Sequence, residues 1–193
     1  MRQVNKLTTY THEVKQSKFI ANLMPFSMYE NRLTELKKQH PKARHFVVAF
    51  RYLNEFNQIV EHSSDDGEPK GTSGKPTLFV LQGNNLINSA LIIIRYFGGT
   101  KLGTGGLVRA YSDASNLVIT KCDLVEYKEI VQENISFKYS DIRMVEYECQ
   151  VHSIDIIEKI FTTQTVYTIQ GSKGDLQLFL EKLHRVVNIY PLP

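Results

Sequence analysis

Hydrophobic and polar positions along residues 1–122 follow two different spacings, and these spacings predict a mixed fold of strands and helices. Residues 45–53 are rich in strand-forming side chains, and alternate positions share one apolar face. Residues 90–94 form an unbroken apolar run that ends at Arg95, which predicts a central strand covered on both faces. The remaining patterns predict a strand at 18–24, a short strand near 59–60, and helices that begin near residues 27, 72 and 104.

The pattern restarts after a charged segment at 123–128, where a second set of elements begins. They are a strand at 131–139, a helix at 142–149, strands at 154–161 and 165–170, a helix that starts at residue 172, and a strand at 186–190. This βαββαβ order is the split-βαβ, ferredoxin-like arrangement. The sequence therefore predicts an α+β protein with two domains, residues 1–124 and residues 125–193.

Nine of the eleven glycines lie between Gly67 and Gly106, in two clusters that each lead into a predicted helix. The first amides of a helix have no partner within it and carry the positive end of its dipole, so a helix start can bind an anion. The predicted anion-binding or nucleic-acid-binding residues are Lys70, Gly71, Thr72, Ser73, Gly74, Lys75, Arg95, Gly98, Gly99, Lys101, Gly103, Thr104, Gly105, Gly106 and Arg109. The alternative is that the glycines serve only tight turns and close packing of helices on strands.

Charge changes this picture because it is uneven along the chain. The net charge is +3, but residues 1–122 contain sixteen Lys and Arg against nine Asp and Glu, a net +7, and the remainder carries −4. A basic first half favours a polyanion partner, and we expect RNA or another ligand that bears phosphates. Residues 71–76 lack the Walker spacing, and residues 103–108 lack the last glycine of the dinucleotide fingerprint, so ATP and NAD are disfavoured.

A competing hypothesis treats His45, Asp65, Asp66 and Glu68 as ligands of a divalent metal ion beside the anion site. The protein would then be a metal-assisted hydrolase that uses the Asp65, Asp66 and Glu68 loop. The alternative is an acidic turn that caps a neighbouring helix. No catalytic residue can be assigned from the sequence, since Ser73 does not lie in a nucleophile elbow. A binding protein is therefore favoured over an enzyme, and no cofactor other than this metal is predicted.

Neither a membrane span nor a secretory signal is indicated by the apolar runs in the chain. The two cysteines, Cys122 and Cys149, are too few for a disulfide framework and have no metal-binding spacing. We therefore expect a cytoplasmic protein with no membrane partner.

Two long motifs resemble the Impact/YigZ family: DDGEPKGTSGKP at 65–76 and RYFGGTKLGTGGLVRAY at 95–111. The resemblance implies a first domain of the ribosomal-protein domain-2-like type, related to a domain of elongation factor G. It also implies a ferredoxin-like second domain, similar to the last domain of that factor. Both implications agree with the α+β prediction.

The resemblance also implies a class of function. Eukaryotic members of that family restrain the amino-acid-starvation kinase by competing for its activator, and association with nucleic acid or the ribosome is favoured across the family. We therefore expect a translation- or ribosome-associated regulator whose first domain binds RNA and whose second domain contacts a protein partner. The alternative to RNA binding is a purely protein-binding regulator.

Overall fold

The computed structural model of the chain describes residues 1–187. The mixed α and β fold that the sequence predicts is confirmed. The chain divides into two compact units, the first from Met1 to Tyr127 and the second beginning at Lys128. None of the described helices combines the length and the hydrophobicity that a membrane span needs.

Seven strands and three α-helices make up the first unit. The strands are β1 (Arg2–Val4), β2 (Thr8–Val14), β3 (Ser17–Pro25), β4 (His45–Leu53), β5 (Ile59–Ser64), β6 (Ser89–Tyr96) and β7 (Leu124–Glu126). The helices are α1 (Tyr29–Gln39), α2 (Gly74–Gly83) and α3 (Gly103–Thr120). A short 3₁₀ turn at Phe26–Met28 precedes α1, which therefore begins two residues after the predicted start, and no described side chain caps it.

Five strands form one antiparallel sheet in the order β2-β3-β6-β4-β5. The central strand β6 contributes to a separate core on each face of this sheet. Leu91 and Ile93 pack with α2 and α3, whereas Ile92 and Ile94 pack on the side of α1. Because side chains alternate along a strand, Arg95 continues the face of Leu91 and Ile93 toward α3. Residues 90–94 are thus covered on both faces of the sheet, as the sequence predicts. The strand places Arg95 on the face that α2 and α3 cover.

The first unit extends slightly beyond the predicted boundary at residue 124. Strand β7 pairs with β1 in a separate two-stranded sheet, with Val4 opposite Leu124 and Arg2 opposite Glu126. This pairing ties the charged segment to the first unit. The division therefore falls between Tyr127 and Lys128.

The second unit has the elements β8 (Ile130–Phe137), α4 (Ile142–Val151), β9 (Asp155–Phe161), β10 (Thr165–Ser172) and α5 (Lys173–Val186). Its sheet has the order β8-β10-β9 and packs against both helices around a separate core. These are the first five elements of the predicted βαββαβ order. The sixth, a strand predicted at 186–190, begins on Val186, which instead ends α5, and residues 188–190 lie outside the described residues.

Candidate nucleic-acid interface

The first glycine cluster leads into α2, whose first amides are capped by the protein itself. Asp65 follows β5 directly and accepts hydrogen bonds from the amides of Gly71 (2.7 Å), Ser73 (3.1 Å) and Gly74 (2.8 Å). The Ser73 hydroxyl also donates to Asp65, at 2.7 Å. Burial would raise the pKa of Asp65, but these hydrogen bonds together outweigh it and hold the pKa below its ordinary value. A carboxylate of the chain itself thus occupies the opening at which the sequence predicts an external anion, and these contacts favour the alternative interpretation for the first cluster.

The rest of the loop before α2 is also engaged within the protein. Thr72 is buried and donates its hydroxyl to the carbonyl of Pro69, at 2.7 Å. Asp66 accepts a hydrogen bond from the amide of Phe46 at 2.6 Å. Of the residues predicted here, only Lys70 and Lys75 present exposed side chains. The acidic turn thus caps a neighbouring helix, as the alternative interpretation of this segment stated.

Glu68 connects this loop to the central strand and to α3. It forms a buried ion pair with Arg95, with 2.7 Å between Oε1 and Nη1, and it accepts a hydrogen bond from the Tyr111 hydroxyl at 2.9 Å. Burial, with the nearby charge of Glu68, raises the pKa of Tyr111 far above its ordinary value. Tyr111 therefore remains a protonated donor. Together, Glu68, Arg95 and Tyr111 fix the loop against β6 and α3.

The four predicted metal ligands, His45, Asp65, Asp66 and Glu68, do not converge on one point. Nδ1 of His45 lies 2.9 Å from the carbonyl oxygen of Asp66, and the three carboxylates bind amides, a hydroxyl or Arg95 as described above. Within residues 1–187 no group of three His, Cys, Asp or Glu side chains is placed to hold a metal ion. The metal hypothesis therefore lacks a ligand set in the described chain.

The second glycine cluster contains glycines that the fold requires. A Cβ atom on Gly98 would lie 2.1 Å from the carbonyl carbon of Gln16, in the turn between β2 and β3. The Gly98 amide donates to Ser17 Oγ in the same turn, at 3.1 Å. Gly99 and Gly103 have φ values of +87° and +73°, in the left-handed region that favours glycine. Close packing and backbone conformation account for these three glycines.

Gly105 has no comparable structural reason. It is exposed in the first turn of α3, and a Cβ atom there would meet no atom within 4 Å. Glycine inside a helix is about 1 kcal/mol less favourable than alanine. Gly105 therefore costs stability, and it leaves the backbone of the first turn uncovered by a side chain at this position. Leu102 occupies the N-cap position, and no described side chain caps α3. Thr104, near which the sequence predicts the helix to begin, lies inside the helix, and so the amides of this opening have no side-chain cap within residues 1–187.

Two clefts border the start of α3, and another adjoins one of them. The α3 cleft, of about 310 Å³, is lined by Arg95, Phe97, Lys101 and Thr104 among others. The β4 cleft, of about 430 Å³, lies on the other side of Phe97 and is lined by Lys42, Arg44, His45, Arg95, Tyr96 and Phe97. A third cleft, also of about 430 Å³, is lined by Lys15, Gly105, Gly106, Arg109 and Asp113.

The cations around these clefts differ in how far they are neutralised. Arg95 is paired with Glu68. Among the ion pairs of the described residues, none involves Lys15, Lys42, Arg44, Lys101 or Arg109, all of which are exposed. The first unit has sixteen Lys and Arg against eleven Asp and Glu, a net +5, whereas the second has seven against nine, a net −2. The clefts thus lie on the basic unit and expose unpaired positive charge.

Six of the cleft residues named above were missed from the sequence: Lys15, Lys42, Arg44, Tyr96, Phe97 and Asp113. Lys42 and Arg44 lie more than fifty residues before Gly98, and they reach the site because His45 pairs with Arg95 across the antiparallel strands β4 and β6. Lys15 reaches it through the turn on which Gly98 packs. Only knowledge of the strand order could have indicated these positions. Phe97 lies within the second cluster, but its exposure of 59% was not apparent from the pattern.

Comparison with known proteins places the site within a shared region. A family model described as the Impact N-terminal domain matches residues 15–119, which include all the cleft residues named above. The chain is 34% identical to an IMPACT family member of Haemophilus influenzae, over 90% of this chain and 86% of that protein. It is 30% identical to the IMPACT family member YvyE of Bacillus subtilis, over 92% and 83% of the two chains. A crystal structure described as that of a hypothetical protein matches with a TM-score of 0.66 and 25% identity, over 100% of this chain and 97% of the other.

Proposed function

This chain belongs to the Impact family, and from that premise we propose that it is a translation-associated regulator that binds RNA through the clefts around α3. The observation that carries the proposal is the uncapped start of α3, surrounded by cations that have no ion-pair partner in the described chain. The first amides of α3 have no side-chain acceptor among the described residues and can therefore bind an external anion. At α2, by contrast, Asp65 already accepts the hydrogen bond of the Gly74 amide.

The chemistry of the opening suits a phosphate group. The free amides and the helix dipole attract negative charge, and Lys101 and Arg109 line the two clefts that border the start of α3. The positive charge extends over three clefts, which is more than one phosphate requires. A nucleic-acid backbone supplies several phosphates in succession, and binding would release its counterions. RNA therefore fits this surface better than a small phosphate-bearing ligand, which is the alternative.

Replacement of Lys101 and Arg109 by Ala tests the proposal. Each lost phosphate contact lowers the slope of log affinity against log salt by about 0.7 to 0.9, so we expect weaker binding of a labelled RNA and a slope reduced by about 1.5. Fluorescence anisotropy titrations at several salt concentrations measure both quantities. The matched control is Lys37→Ala with Lys38→Ala, which removes the same charge from the exposed surface of α1.

Unchanged RNA affinity and slope in the Lys101 and Arg109 variant would contradict the proposal. Equal losses in the control variant would also do so, because the effect would then reflect net charge alone. If a low concentration of inorganic phosphate displaced the labelled RNA, and unlabelled RNA did not, the result would instead support the small-ligand alternative.

We also propose that the second unit contacts a protein partner, since it is not basic and exposes apolar side chains. Met144, Tyr147 and Val151 lie on one face of α4 and are 45%, 59% and 55% exposed. Co-sedimentation with ribosomes tests this role: Tyr147→Ser with Val151→Ser is expected to reduce the bound fraction. Leu178→Ser on α5, where the side chain is 57% exposed, serves as the control. Sedimentation like that of the wild type would argue against a ribosomal partner at α4.

A further inference from the structure

Phe97 stands between the α3 cleft and the β4 cleft and lines both of them. It directly follows β6 and is 59% exposed. A single exposed aromatic residue needs no explanation by itself. Here, however, the ring separates two clefts that each carry unpaired cations: Lys101 on one side, Lys42 and Arg44 on the other. A ligand that reaches both clefts must pass over this ring.

Arg95 supports the ring from beneath. Its guanidinium carbon lies 5.6 Å from the centroid of the Phe19 ring and 5.8 Å from that of Phe97. The residue is 7% exposed, and Glu68 holds Nη1. Nε is buried and has no hydrogen-bond partner among the described residues. A buried donor without a partner is unfavourable, and Arg95 lines both clefts, so a bound ligand is a source of the missing acceptor.

We propose that the ligand is single-stranded RNA, with one base stacked on Phe97 and the neighbouring phosphates held in the α3 cleft and the β4 cleft. This inference rests on the RNA binding proposed above. Bases in a single strand can leave their neighbours and stack on an aromatic side chain, whereas bases in a duplex are already stacked and paired. Every base has a flat face, so one phenylalanine accepts any of them with little sequence preference. A cation behind the ring fixes its position and adds a cation–π interaction.

Three probes of equal length separate the contributions of base and phosphate: a labelled single-stranded RNA, the same backbone without bases, and a duplex. Phe97→Leu keeps an apolar side chain but removes the flat ring, and it is expected to weaken binding of the single strand about tenfold. The abasic backbone and the duplex should bind Phe97→Leu and wild type equally. Phe97→Tyr should restore the affinity for the single strand. Phe56→Leu is the matched control, since Phe56 is 72% exposed and lines none of the three clefts.

A fluorescent base analogue adds a direct measurement. The fluorescence of 2-aminopurine within the single strand should change on binding to wild type, as the base leaves its neighbours, and change much less on binding to Phe97→Leu. Wild-type affinity of Phe97→Leu for the single strand would overturn the stacking inference, as would an equal loss with the abasic backbone. If Lys101→Ala with Arg109→Ala weakens all three probes while Phe97→Leu weakens none, RNA binding stands and stacking fails. If neither variant changes any probe, the RNA-binding proposal itself fails.

Discussion

The starts of α2 and α3 are both reached through glycines, and both helices pack on the same face of the central sheet. At α2 the carboxylate of Asp65 accepts hydrogen bonds from three amides. At α3 no side chain of the described residues takes this position, and Gly105 leaves the first turn uncovered. The same local chemistry thus serves the fold at one helix and is left free for a partner at the other.

The difference depends on one acidic residue that lies six to nine positions before the amides it caps. A helix start is attractive to any carboxylate or phosphate, whether it comes from the same chain or from a ligand. Around the start of α3 the acidic residues are Glu68, which is paired with Arg95, and Asp113, which lies further along the helix, and neither caps the opening as Asp65 does at α2. A glycine-rich helix start therefore indicates an anion site only when no acidic residue of the same loop can reach it.

Removal of the internal cap should have the largest effect. Asp65→Ala leaves three amides and the Ser73 hydroxyl without their acceptor, and we expect the free energy of unfolding to fall by about 3 kcal/mol. The corresponding change at the open helix, Thr104→Ala, should alter it by less than about 0.5 kcal/mol because Thr104 caps nothing. Urea denaturation of both variants, followed by circular dichroism, measures the contrast. Similar losses in the two variants would mean that the two openings do not differ.

The sequence predicted the two helix starts to different extents. Local pattern was sufficient for both helix starts, for the buried strand that delivers Arg95, and for the acidic turn as a helix cap, which was one of two interpretations of the residues around Asp65. The choice between them depended on the turn at Gly67 and Gly71, whose positive φ values bring the carboxylate back to the amides. Such a conformation cannot be derived from residue types alone. To predict the β4 cleft, one would have to know that His45 pairs with Arg95, which is a long-range property of the sheet.

The capping carboxylate also predicts a dependence on pH. Burial favours the neutral form of Asp65, but hydrogen bonds from Gly71, Ser73 and Gly74 outweigh it and lower the pKa in the folded state below the ordinary value of 3.8. The ionised carboxylate therefore contributes its full stabilisation at pH values above the ordinary pKa of 3.8. This stabilisation is lost as the pH falls through the lower pKa of the folded state. Asp65→Asn, which removes the charge and replaces one of the two accepting oxygens by an NH2 group, should be at least about 1 kcal/mol less stable than wild type near neutral pH.

Thermal midpoints of wild type and Asp65→Asn, measured as the pH is lowered, test this contribution. The difference between the two proteins should shrink in acid, because protonated Asp65, like Asn, is neutral and keeps only one carbonyl oxygen as an acceptor. A difference that stays constant across this range would show that the charge of Asp65 contributes nothing to the cap.

The smallest effect on stability, and the most informative one, is expected at Gly105 and is compared with that at Gly74, the glycine at the other helix start. At Gly74 a Cβ atom would lie 2.8 Å from the backbone of Ser64, so Gly74→Ala should destabilise the protein by about 1 to 3 kcal/mol through overpacking. At Gly105 there is open space, so Gly105→Ala should leave stability unchanged or raise it by up to about 1 kcal/mol, as alanine favours the helix. The same Gly105→Ala variant should bind RNA more weakly, since its methyl group would stand where the backbone of the ligand approaches α3. Denaturation and RNA anisotropy measured on one preparation compare the two properties. A Gly105→Ala protein that is more stable and binds RNA as tightly as wild type would show that the bare first turn of α3 serves neither the fold nor the ligand.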